Sequence, residues 1–307
     1  MQVGFDELSL GVEIEFSGIT RFEATQVLVD YFGTTYVKFG GWNEEYHVPD
    51  PKDRIWQLIN DGSVDAQKKV GNTVVPGTEE YKYELITPIL EYADLSTLLG
   101  VVAVLKAAGA TTGANCGIHV HIGAEKFDPK SLRVLCNLVY SKQYLLANTL
   151  TVKEVRKGQY CSYLSEEFIN QLNSEKPSTW DHFKEIWYAG TLDAVRTIRR
   201  NESRYRIINL HNLLSGRQPT IEYRLYNSTL DADCVKAYIQ FSLLLTCQAL
   251  RQKKALTRMM MSENSKYTFR VFLLKANAIG SDFREMRLLL LKHLEGDSGR
   301  RHPKVNK

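Results

Sequence analysis

The sequence predicts an α+β fold whose strands build a sheet with one oily face and one charged face. Two observations predict it. The first is that four short segments alternate apolar and ionisable residues at the period of an extended chain. Gly11–Phe16 sets Glu13 and Glu15 opposite Val12, Ile14 and Phe16, and Lys82–Leu85 places Glu84 between Tyr83 and Leu85. Asn115–Ile122 sets His119 and His121 opposite Ile118, Val120 and Ile122, and Thr220–Tyr226 sets Glu222 and Arg224 opposite Ile221, Tyr223 and Leu225. The second is that longer segments of helical periodicity run between these strands. Histidines that merely meet water would explain Asn115–Ile122 alone, but three further segments of the same texture weigh against that. Side by side, such strands form a wall of carboxylates, imidazoles and a guanidinium, which is the wall of a metal site.

In chain order, the first strand (about 10–17) leads to a helix over Thr20–Phe32, with Thr20 as N-cap and Phe22, Val27, Leu28 and Tyr31 as its apolar residues. Residues 34–60 read as short strands around a polar loop, Asn43–Asp53, with two prolines. Asp61-Gly-Ser63 is a turn signal, and 66–79, with Gly71-Asn72 and Pro76-Gly77, reads as a loop. Thr87-Pro88 ends the Glu84 strand, and Asp94–Ala108 is a helix closed by Gly109. Residues 129–150 and 164–200 have helical periodicity. Arg204–Asn209 and Thr220–Tyr226 return to strand, Asp231–Leu250 is a long apolar helix, and Ser281 caps another running to about Leu294.

Composition narrows the class. A chain of 307 residues, 44% hydrophobic and 24% charged, is that of an ordinary soluble protein with ample core. A net charge of +4 does not point to nucleic acid. The five cysteines show no CxxC spacing, which speaks against a thiolate zinc site or a disulfide framework and suits a reducing cytoplasm. The N-terminus lacks the form of a signal peptide, and no apolar run approaches the roughly 20 residues needed to span a bilayer. The expectation is a cytoplasmic protein with neither nucleic-acid nor membrane partner.

Several carboxylates with one or two imidazoles suit hard divalent cations, Mg²⁺ or Mn²⁺. Such ions commonly serve phosphate chemistry, and an arginine on the face of a metal-binding glutamate can take negative charge on a transferring phosphoryl group. Neither GxxxxGK[ST] nor GxGxxG lies between a strand and a helix. A nucleotide site would therefore be metal-centred and lined by strands.

Five motifs in order carry a resemblance: G-x-E-x-E-F at Gly11–Phe16, Y-E-L-x-T-P at Tyr83–Pro88, C-G-x-H-V-H at Cys116–His121, R-Y-x-x-x-N at Arg204–Asn209, and T-I-E-x-R followed by T-L-D within Thr220–Asp231. Over about residues 8–232 they resemble the amidoligases of the glutamine synthetase and γ-glutamylcysteine ligase superfamily. The resemblance implies a glutamine synthetase-like catalytic domain over 1–297: a curved, mostly antiparallel sheet lining the active site, helices on its outer face, and a helical insert at about 127–200. Residues 298–307 would be a basic, disordered tail. It implies that Glu13, Glu15, Glu84, His119 and Glu222 hold metal, and that His121, Arg204 and Asn209 serve the nucleotide. Asp61 and Ser63 would serve the substrate. Arg224 would neutralise the transferred phosphoryl group, and Glu84 also belongs to the catalytic set beside the amino-acid substrate.

The activity implied is ATP- and Mg²⁺- (or Mn²⁺-) dependent amide formation between a carboxylate and an amine, through an acyl phosphate, on an amino acid or peptide. Two alternatives stand beside it. His119-x-His121-x-x-x-Glu125 fits the first cupin motif of a mononuclear metal enzyme, though His211 lacks the context of a second motif. A non-catalytic nucleotide-binding protein of the same fold is the other. The sequence leaves the substrates and the oligomeric state open.

Overall fold

Leu10–Phe16 (β1) buries Leu10, Val12, Ile14 and Phe16 and turns Glu13 and Glu15 to the opposite face, the outcome its alternation dictates. The computed structural model describes residues 4–40, 44–71, 73–189, 201–260 and 262–301. They fall into two compact units: residues 8–121 with 226–238, and residues 1–7, 122–225 and 239–307. The class is α+β with mostly antiparallel strand pairing.

The first unit carries β1, β2 (Val37–Phe39), β3 (Glu45–Pro49), β4 (Ile55–Asn60), β5 (Gln67–Val70), β6 (Thr73–Pro76), β7 (Tyr83–Ile86) and, as far as His121, β8 (Gly117–Gly123). Its sheet runs β2-β3-β4-β7-β1-β8, and β5 and β6 form a separate hairpin. Tyr46, Val48, Trp56, Leu58, Tyr83 and Leu85 join the β1 residues on the buried face. Two helices, α1 (Arg21–Phe32) and α2 (Leu95–Ala107), pack together, and α1 lies against β3 and β4. Thr20 and Glu23 form the capping box of α1: the Glu23 N–H donates to Thr20 Oγ1 and the Thr20 N–H to Glu23 Oε2. The buried stripe of α1 is Arg21, Ala24, Thr25 and Leu28, whereas Phe22 and Tyr31 are 45% and 39% exposed. Phe22 packs its ring against Tyr36 and the buried Tyr46 while staying partly exposed, which periodicity alone does not distinguish from a core position. After β1 the chain must turn at Gly18 (φ 92°), where a Cβ would lie 2.8 Å from the Gly109 carbonyl oxygen.

Two segments expected as loops are strands. Within 43–53, Tyr46 and Val48 are buried, so the polar-looking stretch is a central strand ending at Pro49. Within 66–79, Gln67–Val70 and Thr73–Pro76 pair in register, with Gly71 at φ 61° between them. An ion network on two buried carboxylates secures the turn after β3. Arg54 bonds both Asp50 and Asp94, and Lys52 also reaches Asp94. The Asp94 carboxylate therefore answers side chains and the Glu91 N–H rather than capping α2.

The second unit carries α3 (Pro129–Tyr140), α4 (Gln143–Thr149), α5 (Glu154–Gln159), α6 (Glu166–Glu175), α7 (Trp180–Trp187), β9 (Ile208–Asn209), α8 (His211–Leu214), β10 (Thr220–Asn227, to Leu225), α9 (Ala232–Arg251, from Ile239), α10 (Ser265–Lys275) and α11 (Arg284–Leu291). The described part of the expected insert is a series of helices ending at Trp187; its end (190–200) and residues 302–307 of the tail lie outside the described residues. Glu202–Tyr205 is a 3-10 turn rather than strand, and only Ile208–Asn209 pairs, antiparallel, with β10. Helix α10 had no sequence expectation, and α11 starts at Arg284 with Phe283 rather than Ser281 at its N-cap position. No helix among the described residues is long and apolar enough to cross a membrane.

Candidate metal centre

Strand alternation turns Glu13 and Glu15 of β1 and His119 and His121 of β8 onto one face, and register places Glu15 of β1 opposite Glu84 of β7. His119 Nδ1 lies 2.9 Å from Glu13 Oε2, and His121 Nε2 lies 3.1 Å from Glu13 Oε1. His119 Nε2 is 3.5 Å from Glu15 Oε1, while Glu15 Oε2 accepts the Gly117 N–H at 2.7 Å. Burial pushes the Glu13 carboxyl up, but the charge of His121 and the hydrogen bonds of His119 and His121 outweigh it and hold the group well below the usual carboxylate range.

The turn after β4 brings a fourth carboxylate. The Ser63 N–H donates to Asp61 Oδ1 at 2.8 Å, and the Val64 N–H to the Asp61 carbonyl. Asn115 holds this turn against the histidine strand: its Nδ2 donates to the Ser63 carbonyl, and its Oδ1 accepts the Asp65 N–H. Two overlapping sets of ligand atoms result. Glu13, Glu84 and His119 each offer one atom within 4.8 Å of the others, and so do Glu15, Asp61 and Glu84. Glu84 belongs to both. Carboxylate oxygens with one imidazole and no thiolate are the donor set of Mg²⁺ or Mn²⁺, so the residues present fit the ions the resemblance implies. Among the described residues Glu125 joins no three-donor set and is exposed.

The second unit holds Glu222, Asn209, Arg224 and Arg204. Glu222 and Asn209 are Cα partners, and Asn209 Nδ2 donates to Glu222 Oε2 at 2.6 Å. Arg224 Nη1 donates to Glu222 Oε1, and Arg224 Nε to the Tyr160 carbonyl at 3.1 Å. All three side chains are buried. Arg204 and Arg224 both lie over the Tyr205 ring, at 5.5 and 5.8 Å from its centroid. The His211 N–H donates to Asn209 Oδ1, fixing which end of the amide faces Glu222, and His211 Nδ1 meets the Tyr188 hydroxyl at 2.7 Å.

Asn115, Tyr160, Tyr188, His211 and Ser228 escape a sequence reading. Only Asn115, next to the Cys-Gly-x-His motif, carried a local signal. Ser228 Oγ donates to the Glu15 carbonyl across 213 positions, a contact no local pattern announces.

No curated protein matches the chain. Residues 6–246 match the protein family described as "Putative amidoligase enzyme", a span that includes every site residue above from Glu13 to Arg224. The chain belongs to this amidoligase family, a family of ligase-type enzymes.

Proposed function

We propose that the protein is an ATP-dependent carboxylate–amine ligase with a glutamine synthetase-like fold, joining a carboxylate to an amine through an acyl phosphate. The observation that carries this reading is the pair of three-donor sets sharing Glu84 on one sheet face. Glu13, Glu84 and His119 would hold one Mg²⁺ or Mn²⁺, and Glu15, Asp61 and Glu84 a second. The proposal thus moves Asp61 from substrate contact to ion binding and leaves Ser63 the task of shaping its turn. Bound there, the ions would neutralise phosphate oxygens and orient them.

A carboxylate is a poor electrophile because oxide would have to leave. Its oxygen instead attacks the γ-phosphorus of ATP; the bond to ADP breaks, and an acyl phosphate forms. The amine nitrogen then attacks the acyl carbon, phosphate leaves with the C–O electron pair, and the nitrogen gives up a proton. Position and charge supply most of the rate. The resemblance gives Glu222 a metal role, His121, Arg204 and Asn209 nucleotide roles, and Arg224 the charge of the transferred phosphoryl group. For Asn209 and Arg224 the observed bonds to Glu222 add an orienting role.

The test is ADP release with Mg²⁺ over a panel of amino acids, short peptides and amines. At least one carboxylate–amine pair should support release, and Glu13→Gln and Glu84→Gln should abolish it. No release with any pair, together with ATP binding that is indifferent to Mg²⁺ by calorimetry, refutes the reading.

A further inference from the structure

The carboxylate face does not stop at the metal-holding residues. Register carries it outward along two rungs of directly opposed residues, which share a face. One rung pairs Glu13 with Ile86, Ile86 with Gln57, Gln57 with His47, and His47 with Val37. The other pairs Glu15 with Glu84, and Glu84 with Ile59. With Tyr46 opposite Leu58, Glu45 continues that rung beyond Ile59, and Phe39 faces Glu45. The Phe39 and His47 rings are 4.4 Å apart, while Lys38 reaches over Tyr46 on the other face.

The outer part of this face is built for a particular chemistry. An apolar step, Ile59 and Ile86, follows the carboxylates, then a polar row of Gln57, His47 and Glu45, then the exposed lip of Phe39 and Val37. None of these positions is Lys or Arg, so no side chain at them neutralises a phosphate chain. Its one charge is the carboxylate of Glu45. Among the described residues His47 Nε2 is buried without a hydrogen-bond partner, with Glu45 Oε2 at 3.6 Å.

We propose that strands β2–β4 form the specificity subsite for an extended peptide substrate. Its reacting carboxyl lies at the Glu15–Glu84 end, and its uncharged or cationic remainder runs to Glu45, His47 and Phe39. Three inter-strand spacings separate β7 from β2, about 14 Å, which an extended chain covers in about four residues. Peptide amides match the donor and acceptor capacity of Gln57, His47 and Glu45, apolar side chains match Ile59 and Phe39, and an amino terminus matches Glu45. The inference rests on the ligase reading only for which end of the peptide reacts.

The experiment uses the full chain with Mg²⁺, a non-hydrolysable ATP analogue, and peptides of one to four residues ending in alanine, aspartate or glutamate. Calorimetry reads binding, and ADP release with ATP reads chemistry. Binding should strengthen at least about tenfold from one residue to four, the scale of a filled apolar pocket. Phe39→Ala and His47→Ala should erase that gain, and N-acetylation should weaken it, while Lys38→Ala should keep it. Both substituted side chains are partly exposed, so circular dichroism should report an intact fold. A flat dependence on length overturns the inference, as does a gain that survives both variants. A Phe39→Ala variant that loses the ATP analogue but not the peptides overturns it in favour of a nucleotide occupant. Length-dependent binding with no ADP release from any peptide–amine pair and with ATP binding indifferent to Mg²⁺ keeps the subsite and refutes the ligase; length-independent ADP release from free amino acids does the reverse.

Discussion

Glu84→Gln is the sharpest perturbation of the proposed metal centre, because Glu84 belongs to two three-donor sets whereas Asp61 belongs to one. Two unit charges 4 Å apart interact by about 4 kcal/mol at the effective dielectric near a protein surface, and a divalent ion doubles that to about 8 kcal/mol. Repulsion among the carboxylates is present with and without the ion, so it cancels from the difference. Water and the amide oxygen replace most of the lost attraction, leaving about 3 kcal/mol, a loss of about 100-fold in affinity at each position. Asp61→Asn removes the same charge from one set only. Titration with Mn²⁺, followed by the paramagnetic signal of the unbound ion, should resolve two positions in the native protein. Glu84→Gln should weaken both and Asp61→Asn one. A Glu84→Gln protein that loses a single position, or an Asp61→Asn protein that loses both, refutes the shared-ligand geometry.

Three further outcomes follow from other residues. Arg54→Met leaves Asp50 and Asp94 buried without their guanidinium and should cost about 3–5 kcal/mol at pH 7 by urea unfolding. Both carboxyls titrate lower in the folded chain, where Arg54 and backbone N–H groups outweigh the opposing effect of burial. Their contribution is thus present above roughly pH 4 and lost as pH falls below it, so the variant's deficit should shrink at pH 3. Burial pulls the Lys142 ammonium down to about 8, and among the described residues its only hydrogen bond is to Ser141 Oγ. Against a free lysine at about 10.4 this costs about 3 kcal/mol at neutral pH, so Lys142→Met should stabilise the chain by about 1–2 kcal/mol once the Ser141 bond and the Phe272 contact are given up. The folded chain binds fewer protons than the unfolded one between those values, so native stability rises with pH there and the advantage of Met should shrink. Arg224→Lys keeps the charge but loses the planar fork that meets Glu222 and the Tyr160 carbonyl together. ADP formation should fall by about two orders of magnitude while Mg-ATP still binds, and unchanged turnover would remove Arg224 from the chemistry.

What could be read from the chain was whatever short-range chemistry decides. The four strands that carry Glu13, Glu84, His119 and Glu222 announce themselves because period-2 alternation of ionisable and branched residues has few other uses. The Asp61 turn is local too, since the carboxylate bonds the N–H two residues on. The sequence concealed β3, because Glu45, His47 and Pro49 give Tyr46 and Val48 the look of a loop. It concealed the Asp50–Arg54–Asp94 network, because Asp94 lies 40 positions from Arg54. Asp61 could be recognised as a turn residue but not as a neighbour of Glu15 and Glu84, since strand pairing supplies that neighbourhood.

Register is thus the property on which the proposed metal centre depends. Within β1, Glu13 and Glu15 share a face about 7 Å apart, too far for their carbons to define one ion position closely. Cross-strand partners are nearer, about 5 Å, so the pairing of Glu15 with Glu84 sets the tight contact. Slipping β7 by one residue would send Glu84 into the core and Leu85 onto the carboxylate face. The opposite face forbids the slip. Tyr83 is fully buried, its ring 4.7 Å from Phe16 and its hydroxyl donating to the Ile19 carbonyl, and Leu85 is equally buried opposite Ile14. Carboxylates that repel one another are held together by a hydrophobic register they take no part in. Donors on the neighbouring strand, the His119 and His121 rings and the Gly117 N–H, offset the repulsion that remains. The oily face of each strand therefore fixes the geometry of the charged one, and changes at Tyr83 or Leu85 should disturb the proposed metal binding as surely as changes to the proposed ligands.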